Sequence, residues 1–249
     1  MNIIRILCLS ILGFNSTAQR VEPDVYPTSN GDLIVQPILH GTVVFTWNAF
    51  TIYVDPYGGG KLFAGIKKPD LVIITDIHGD HHNQQTLDEL DLTSSTFIVP
   101  PAVAEKLPES YQIISLKNAD SATWKSITIK AIPMYNLPET ADSRHPKGRG
   151  NGYLITLGDR TIYISGDTED IPEMRELTGI DIAFVCMNQP FTMNINQAAS
   201  AVNAFKPKIV YPFHYRGQGD LSDTEAFKAL VNAGNPQIEV KLRNWYQEN

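Results

Sequence analysis

Six consecutive residues constrain this chain more than any others. Positions 76–81 carry Asp76, His78, Asp80 and His81, directly behind the apolar run Leu71, Val72, Ile73 and Ile74. A short continuous apolar run of that kind predicts a buried strand. Alternation along an extended chain sends Asp76 and His78 to the same side, and a turn at Gly79 lets Asp80 and His81 point back toward them. A polar turn that is histidine-rich by chance is the plain alternative. Four candidate ligands at spacings of two, two and one, fixed to a rigid strand end, favour a metal site instead. Imidazoles and carboxylates together suit zinc, iron or manganese.

The rest of the chain supplies the framework such a strand end needs. Runs rich in Val, Ile, Thr and aromatics, separated by turn residues, predict strands at 33–38, 42–46, 51–54, 96–99, 113–116, 127–132, 153–156, 161–164, 182–185 and 208–211. Asn194 is placed to cap a helix running through Ala204, and Ser222 or Asp223 to cap another that ends at Gly234. Strands in runs, then strands alternating with helices, predict two sheets with helices packed outside. The 249 residues, 43% of them hydrophobic, are enough for a sizeable core, and the sequence reads as a single domain over 32–249 with no internal repeat. The polar, proline-containing stretch 19–31 before it reads as a linker.

The N-terminus has the features of a signal peptide over 1–18. Arg5 precedes the apolar run 6–14, and Ser16 and Ala18 have the spacing of a cleavage site. This predicts a periplasmic or secreted protein. The run is too short for an ordinary membrane span, and no second long apolar segment follows, so no stable membrane insertion is expected after cleavage. The formal net charge of −7 argues against nucleic acid as a partner. Cleavage would leave Cys186 as the sole cysteine, set in an apolar run that predicts a buried, unreactive thiol.

Four segments in order then resemble the metallo-β-lactamase superfamily. Asp76-x-His78-x-Asp80-His81 is similar to the family's His-x-His-x-Asp-His motif at three of its four ligand positions. His145 precedes the glycine-rich stretch 146–153, Gly166-Asp167-Thr168 follows an apolar strand, and His214 follows another. Asp55-Pro56 also matches an early family position. The glycine-rich segment after His145 is most similar to the branch related to ascorbate-6-phosphate lactonase. The resemblance implies an αββα sandwich, two mixed β-sheets flanked by helices, with the site at one edge between the sheets. It implies one metal ion on Asp76, His78 and His145 and a second on Asp80, His81 and His214, with Asp167 bridging. Catalytic roles fall on Asp167 and on Asp80, which would also orient the attacking water. The expected cofactors are two divalent ions, zinc first, with manganese or iron as alternatives because Asp76 stands where the family has histidine.

The resulting expectation is a hydrolase acting on a lactone, ester, amide or phosphate-bearing small molecule. Lys147, Arg149 and Arg216 are candidate cations for an anionic substrate, against the plain reading of a solvated basic loop. A metal-binding or sensory module with little turnover is the alternative from a different class. An antibiotic lactamase, a nuclease and a glyoxalase-type thioesterase are disfavoured by the glycine-rich loop, the acidic balance and the Pro146-Lys147 pair after His145. Asp55 is an even choice between support of a ligand imidazole and a turn aspartate. His40 reads as structural in preference to pocket-lining. Tyr215, beside His214, is a candidate donor to an oxyanion, and His82 is left out of the ligand set.

Overall fold

Period-two alternation sorts the side chains of each strand between an inner and an outer core. In β3 (Thr42–Trp47) Val43, Phe45 and Trp47 join the large core between the sheets, while Val44 joins a smaller outer cluster. In β5 (Leu71–Ile73) Leu71 and Ile73 face inward, and Val72, followed by Ile74, faces outward. Such strands are apolar on both faces and must be covered on both. In the computed structural model, which describes residues 20–216 and 219–247, this is what happens.

The first sheet contains β1 (Asp24–Thr28), β2 (Gly31–Leu39), β3, β4 (Phe50–Val54), β5, β6 (Thr96–Val99) and β7 (Gln112–Ser115), in that spatial order. The second contains β8 (Ser121–Trp124), β9 (Ile127–Met134), β10 (Gly150–Leu157), β11 (Arg160–Ile164), β12 (Ile182–Cys186), β13 (Ile209–Phe213) and β14 (Glu239–Val240), also in chain order. Each begins with four antiparallel strands and continues with three added in parallel, so one strand plan occurs twice. The sequence shows no repeat, yet the topology has one.

The two sheets meet through aromatic packing. Phe184 stacks on Tyr211 at 4.8 Å and meets Phe45 of the opposite sheet edge-on at 5.6 Å, an arrangement that adds to the area buried. Helices α1 (Gln84–Glu89) and α2 (Pro101–Ala104) cover the outer face of the first sheet, with Leu87 and Val103 against Val72 and Phe97. On the second sheet lie α3 (Pro172–Arg175), α4 (Ile195–Phe205) and α5 (Thr224–Gly234). The predicted caps are present. Asn194 and Gln197 form a reciprocal capping box on α4, and Asp223, not Ser222, accepts the Ala226 amide at the start of α5. The two mixed sheets with flanking helices are the architecture expected.

The stretch expected to be a linker is not one. Its residues 24–28 form β1, paired antiparallel with β2. The Asp24 carboxylate pairs with Arg243 and accepts the Tyr211 hydroxyl, and Tyr26 hydrogen-bonds Tyr211. These partners lie far away in sequence, so no local pattern could reveal them. Residues 1–18, read as a signal peptide, lie outside the described residues. No helix among the described residues is long and apolar enough to cross a membrane.

Candidate metal centre

The site is assembled from loops at the ends of strands in both sheets. Asp55 follows β4 in the left-handed region, at φ +44°. Its carboxylate accepts the Thr75 amide at 2.8 Å, the Thr75 hydroxyl at 2.6 Å and the His81 Nδ1–H at 2.8 Å. These bonds tie the loop after β5 back to β4 and aim Nε2 of His81 inward, which resolves Asp55 as the support of an imidazole. From the second sheet, Asn136 does the same for His145. Its Oδ1 accepts the His145 backbone amide at 2.8 Å and lies 3.1 Å from Nδ1, leaving Nε2 facing inward. His145 is fully buried, although Arg144 and Lys147 beside it are charged and exposed.

Asp167 lies between these imidazoles. Its Oδ2 is 3.3 Å from Nε2 of His81 and 3.2 Å from Nε2 of His145, and its Oδ1 is 3.4 Å from Nε2 of His214. Gly166 makes this placement possible. It has φ +59°, and a Cβ there would sit 2.5 Å from the Met134 sulfur, so only glycine fits without displacement. The seven expected ligands fall into overlapping groups whose candidate donor atoms lie within 4.8 Å of one another: Asp76, His78 and His145; His81, Asp167 and His214; and Asp80 with His214 and His40. His82 joins none of them.

The third group brings in His40, which sequence reasoning placed among structural histidines. His40 sits in the turn between β2 and β3 at φ +58°. Its ring centroid is 3.7 Å from that of His214. Nε2 lies 3.1 Å from Asp80 Oδ2, and Nδ1 lies 2.6 Å from the Tyr246 hydroxyl. Burial, then the neighbouring His214, push its pKa down to about 4, so the ring is neutral at pH 7. The consistent tautomer has Nε2–H donating to Asp80 and Tyr246 O–H donating to Nδ1. With both nitrogens engaged, His40 holds Asp80 in place.

The carboxylates are charged despite their burial. Burial opposes charge on Asp80 and Asp167, but surrounding histidines outweigh it and hold both carboxyls well below the usual range. His81 is pushed up, against the effect of burial, by Asp167 and Asp55. Two charged carboxylates packed among imidazole nitrogens favour a cation, and a divalent ion would bind there with release of any proton those nitrogens carry. His145 Nε2 and Asp167 Oδ1 are buried with no hydrogen-bond partner. Buried polar atoms rarely stay unpaired, and here they converge on one space in an N/O donor set suited to zinc, manganese or iron. The residues therefore fit a metal centre.

The expected substrate cations separate. Arg149 donates to both oxygens of the fully buried Asp76, at 3.1 and 2.9 Å. Burial opposes the charge on Asp76, yet His78 and Arg149 help hold its carboxyl below the ordinary value. Lys147 pairs with Glu173 at 2.9 Å and Glu139 at 3.6 Å. Both cations have carboxylate partners that a substrate anion would have to displace. Arg216 lines an open cleft of about 450 Å³ together with His40, Asp80, Asp167, Arg144 and Phe191. Tyr215 is taken up elsewhere: its hydroxyl donates to the Arg243 carbonyl and accepts the Trp245 amide. Burial pushes the Cys186 thiol up to about 11, in keeping with an unreactive group.

Comparisons agree with this geometry. Residues 35–214 match the Beta-lactamase superfamily domain. A metallo-β-lactamase fold protein from Bacillus subtilis superimposes with a TM-score of 0.64 over 88% of this chain and 91% of its own, at 15% identity, a likeness of fold alone. A Parabacteroides distasonis structure whose name places it among metal-dependent hydrolases superimposes with a TM-score of 0.80. It is 36% identical and is matched over 91% of this chain and 99% of its own. A UPF0173 metal-dependent hydrolase of Pyrococcus horikoshii is 30% identical over 192 residues, 72% of this chain and 84% of the relative. The chain belongs to the metallo-β-lactamase superfamily and, within it, to the UPF0173 metal-dependent hydrolases.

Proposed function

We propose that this protein is a dinuclear hydrolase that directs water onto a lactone, ester, amide or phosphate-bearing small molecule. The observation that carries this reading is that His145 Nε2 and Asp167 Oδ1, buried, in contact with opposite charge and without a hydrogen bond, lie beside a cleft that Asp80 and Asp167 both line. Asp76, His78 and His145 would hold one divalent ion and Asp80, His81 and His214 the other, with Asp167 shared between them. Zinc is the first choice, and the carboxylate at position 76 keeps manganese and iron in contention. Such ions supply Lewis acidity and lower the pKa of water to about 7.

The side chains do the rest. Asp80, whose side chain is 30% exposed, would orient the water, with His40 and Tyr246 fixing its angle from behind. Asp55 and Asn136 keep the inward nitrogens of His81 and His145 aimed. The lactone-cleaving branch of the family is part of the proposal, supported by the glycine-rich segment after His145. Export is also proposed, from the features of residues 1–18. Terminal sequencing of protein from the cell envelope should begin near Gln19, and an intact Met1 form in the cytoplasm would overturn it.

The test uses the purified full chain. Metal is measured by emission spectrometry before and after loading with zinc, manganese or ferrous iron. Turnover is then followed on an aryl ester, a lactone and a phosphodiester. Two ions per chain with metal-dependent turnover is the expected result. Bound metal without turnover of any substrate would favour the metal-binding or sensory module, and failure to bind metal would end both readings.

Arg149 adds a prediction of its own. A carboxylate in place of a neutral imidazole adds one negative charge to the first group of ligands, and the bidentate guanidinium offsets it. Arg149→Gln should weaken one ion by about 10–100-fold, the range for loss of a ligand's supporting partner. Asp76→His in the same background should restore it, because an imidazole needs no counter-charge. Competition with a chelating dye reads both effects. Unchanged metal affinity in Arg149→Gln would show that the pair has no part in metal binding.

A further inference from the structure

The described arginines divide into two sets. Arg149, Arg160, Arg175 and Arg243 each pair with an aspartate, and Arg20 donates to the carbonyls of Leu62 and Ala64. The remaining two, Arg144 and Arg216, form no ion pair with a carboxylate among the described residues, and both line the cleft over Asp80 and Asp167.

Each of the two also has an aromatic ring beside it. The Arg144 guanidinium carbon lies 4.1 Å from the centroid of Phe191, and that of Arg216 lies 5.7 Å from the centroid of Tyr246. A guanidinium resting on a ring keeps its N–H edge free for two parallel hydrogen bonds to a carboxylate or phosphate. The long-range field works the other way, since the chain carries a formal net charge of −7 and repels anions at a distance. Anion capture must therefore be local. Arg144 immediately precedes His145, and Arg216 lies two residues beyond His214, so both cations sit at the metal centre's rim.

We infer that the cleft recognises small organic anions, with Arg144 and Arg216 gripping a carboxylate or phosphate group while the scissile bond lies over Asp80 and Asp167. The inference rests on the hydrolase reading for its second half only, because anion binding stands without turnover. It moves the substrate contact away from Lys147 and Arg149, whose charges are already engaged, and onto Arg144, which no motif marks.

The experiment has a binding arm and a turnover arm, both on the metal-loaded full chain. In the first, phenylphosphonate and its neutral dimethyl ester are titrated by calorimetry into the wild type and into Arg144→Gln, Arg216→Gln and the double variant. Affinity for the anion should fall by about tenfold per arginine, and the neutral ester should show no such dependence. Metal content is measured alongside. If a glutamine variant loses metal or aggregates, Arg144→Lys and Arg216→Lys decide the point, since they keep the charge and lose the paired N–H edge. In the second arm, 4-nitrophenyl hemisuccinate is compared with 4-nitrophenyl acetate. The arginine variants should raise KM for the hemisuccinate relative to the acetate. Equal anion affinity in wild type and double variant, with metal retained, overturns the inference. Arginine-dependent binding with neither ester hydrolysed supports the anion site and removes these esters alone from the substrates of the hydrolase reading.

Discussion

Asp167→Ala should abolish turnover and reduce bound metal to less than about one ion per chain. No other side chain among the described residues reaches His81, His145 and His214 together at 3.2–3.4 Å. Removing it leaves three inward-facing imidazoles with no shared charge. Each proposed ion loses an anionic ligand at once, so the effect exceeds that of any ligand serving one ion. Stabilisation by such ions is worth several kcal/mol, and about 4 kcal/mol corresponds to roughly a thousandfold in rate. The isosteric Asp167→Asn separates charge from shape. It should keep the packing against Gly166 and Thr168 and still lose most metal. Emission spectrometry and kcat/KM on any accepted ester provide the check, and near-normal values of both in Asp167→Asn would remove Asp167 from the centre.

His145→Ala should lose one ion selectively, with turnover falling by about a hundred- to a thousandfold on the same scale. Its Nε2 lies 4.0 Å from Asp76 Oδ2 and 3.2 Å from Asp167 Oδ2, so its removal leaves Asp76 and His78 a poor pair of ligands on their own. Folding should survive, because Asn136 still accepts the backbone amide at position 145. Added imidazole, free to enter the space left by the ring, should recover part of the metal. Full loading and near-normal rates without His145 would place the missing ligand elsewhere.

The strand at 71–74 and the donors behind it were legible because burial and alternation are local properties. The capped helices α4 and α5 were legible for the same reason. What could not be read came from contacts across the chain. Arg149 looked like a free cation, and its partner Asp76 lies 73 residues away. His145 sits among polar neighbours, and its burial comes from Asn136 and the opposing sheet. His40 gave no motif, since its meeting with Asp80 and Tyr246 depends on a left-handed turn and on the C-terminal segment. The helices α1, α2 and α3 span only four to six residues each, too few for a helical period to register, and β8 has a single buried side chain, Trp124, in place of an apolar run. β1 was hidden by its polar edge character and by ties to Tyr211 and Arg243.

The doubled strand plan has a mechanical corollary. Corresponding joints of the two halves carry the chemistry: His40 and His145 stand before the third strand of each sheet, and Asp55 and Asp167 follow the fourth. Each proposed ion takes donors from both halves, Asp76 and His78 with His145 on one side, His81 with Asp167 and His214 on the other. A bound ion is then a rivet through the seam between two sheets, and it resists their separation in addition to doing chemistry. By mass action, free metal at about a hundred times its dissociation constant would add roughly 2.7 kcal/mol to the stability of the folded chain. Neither half owns a complete site, so metal occupancy reports whether the halves are seated on one another.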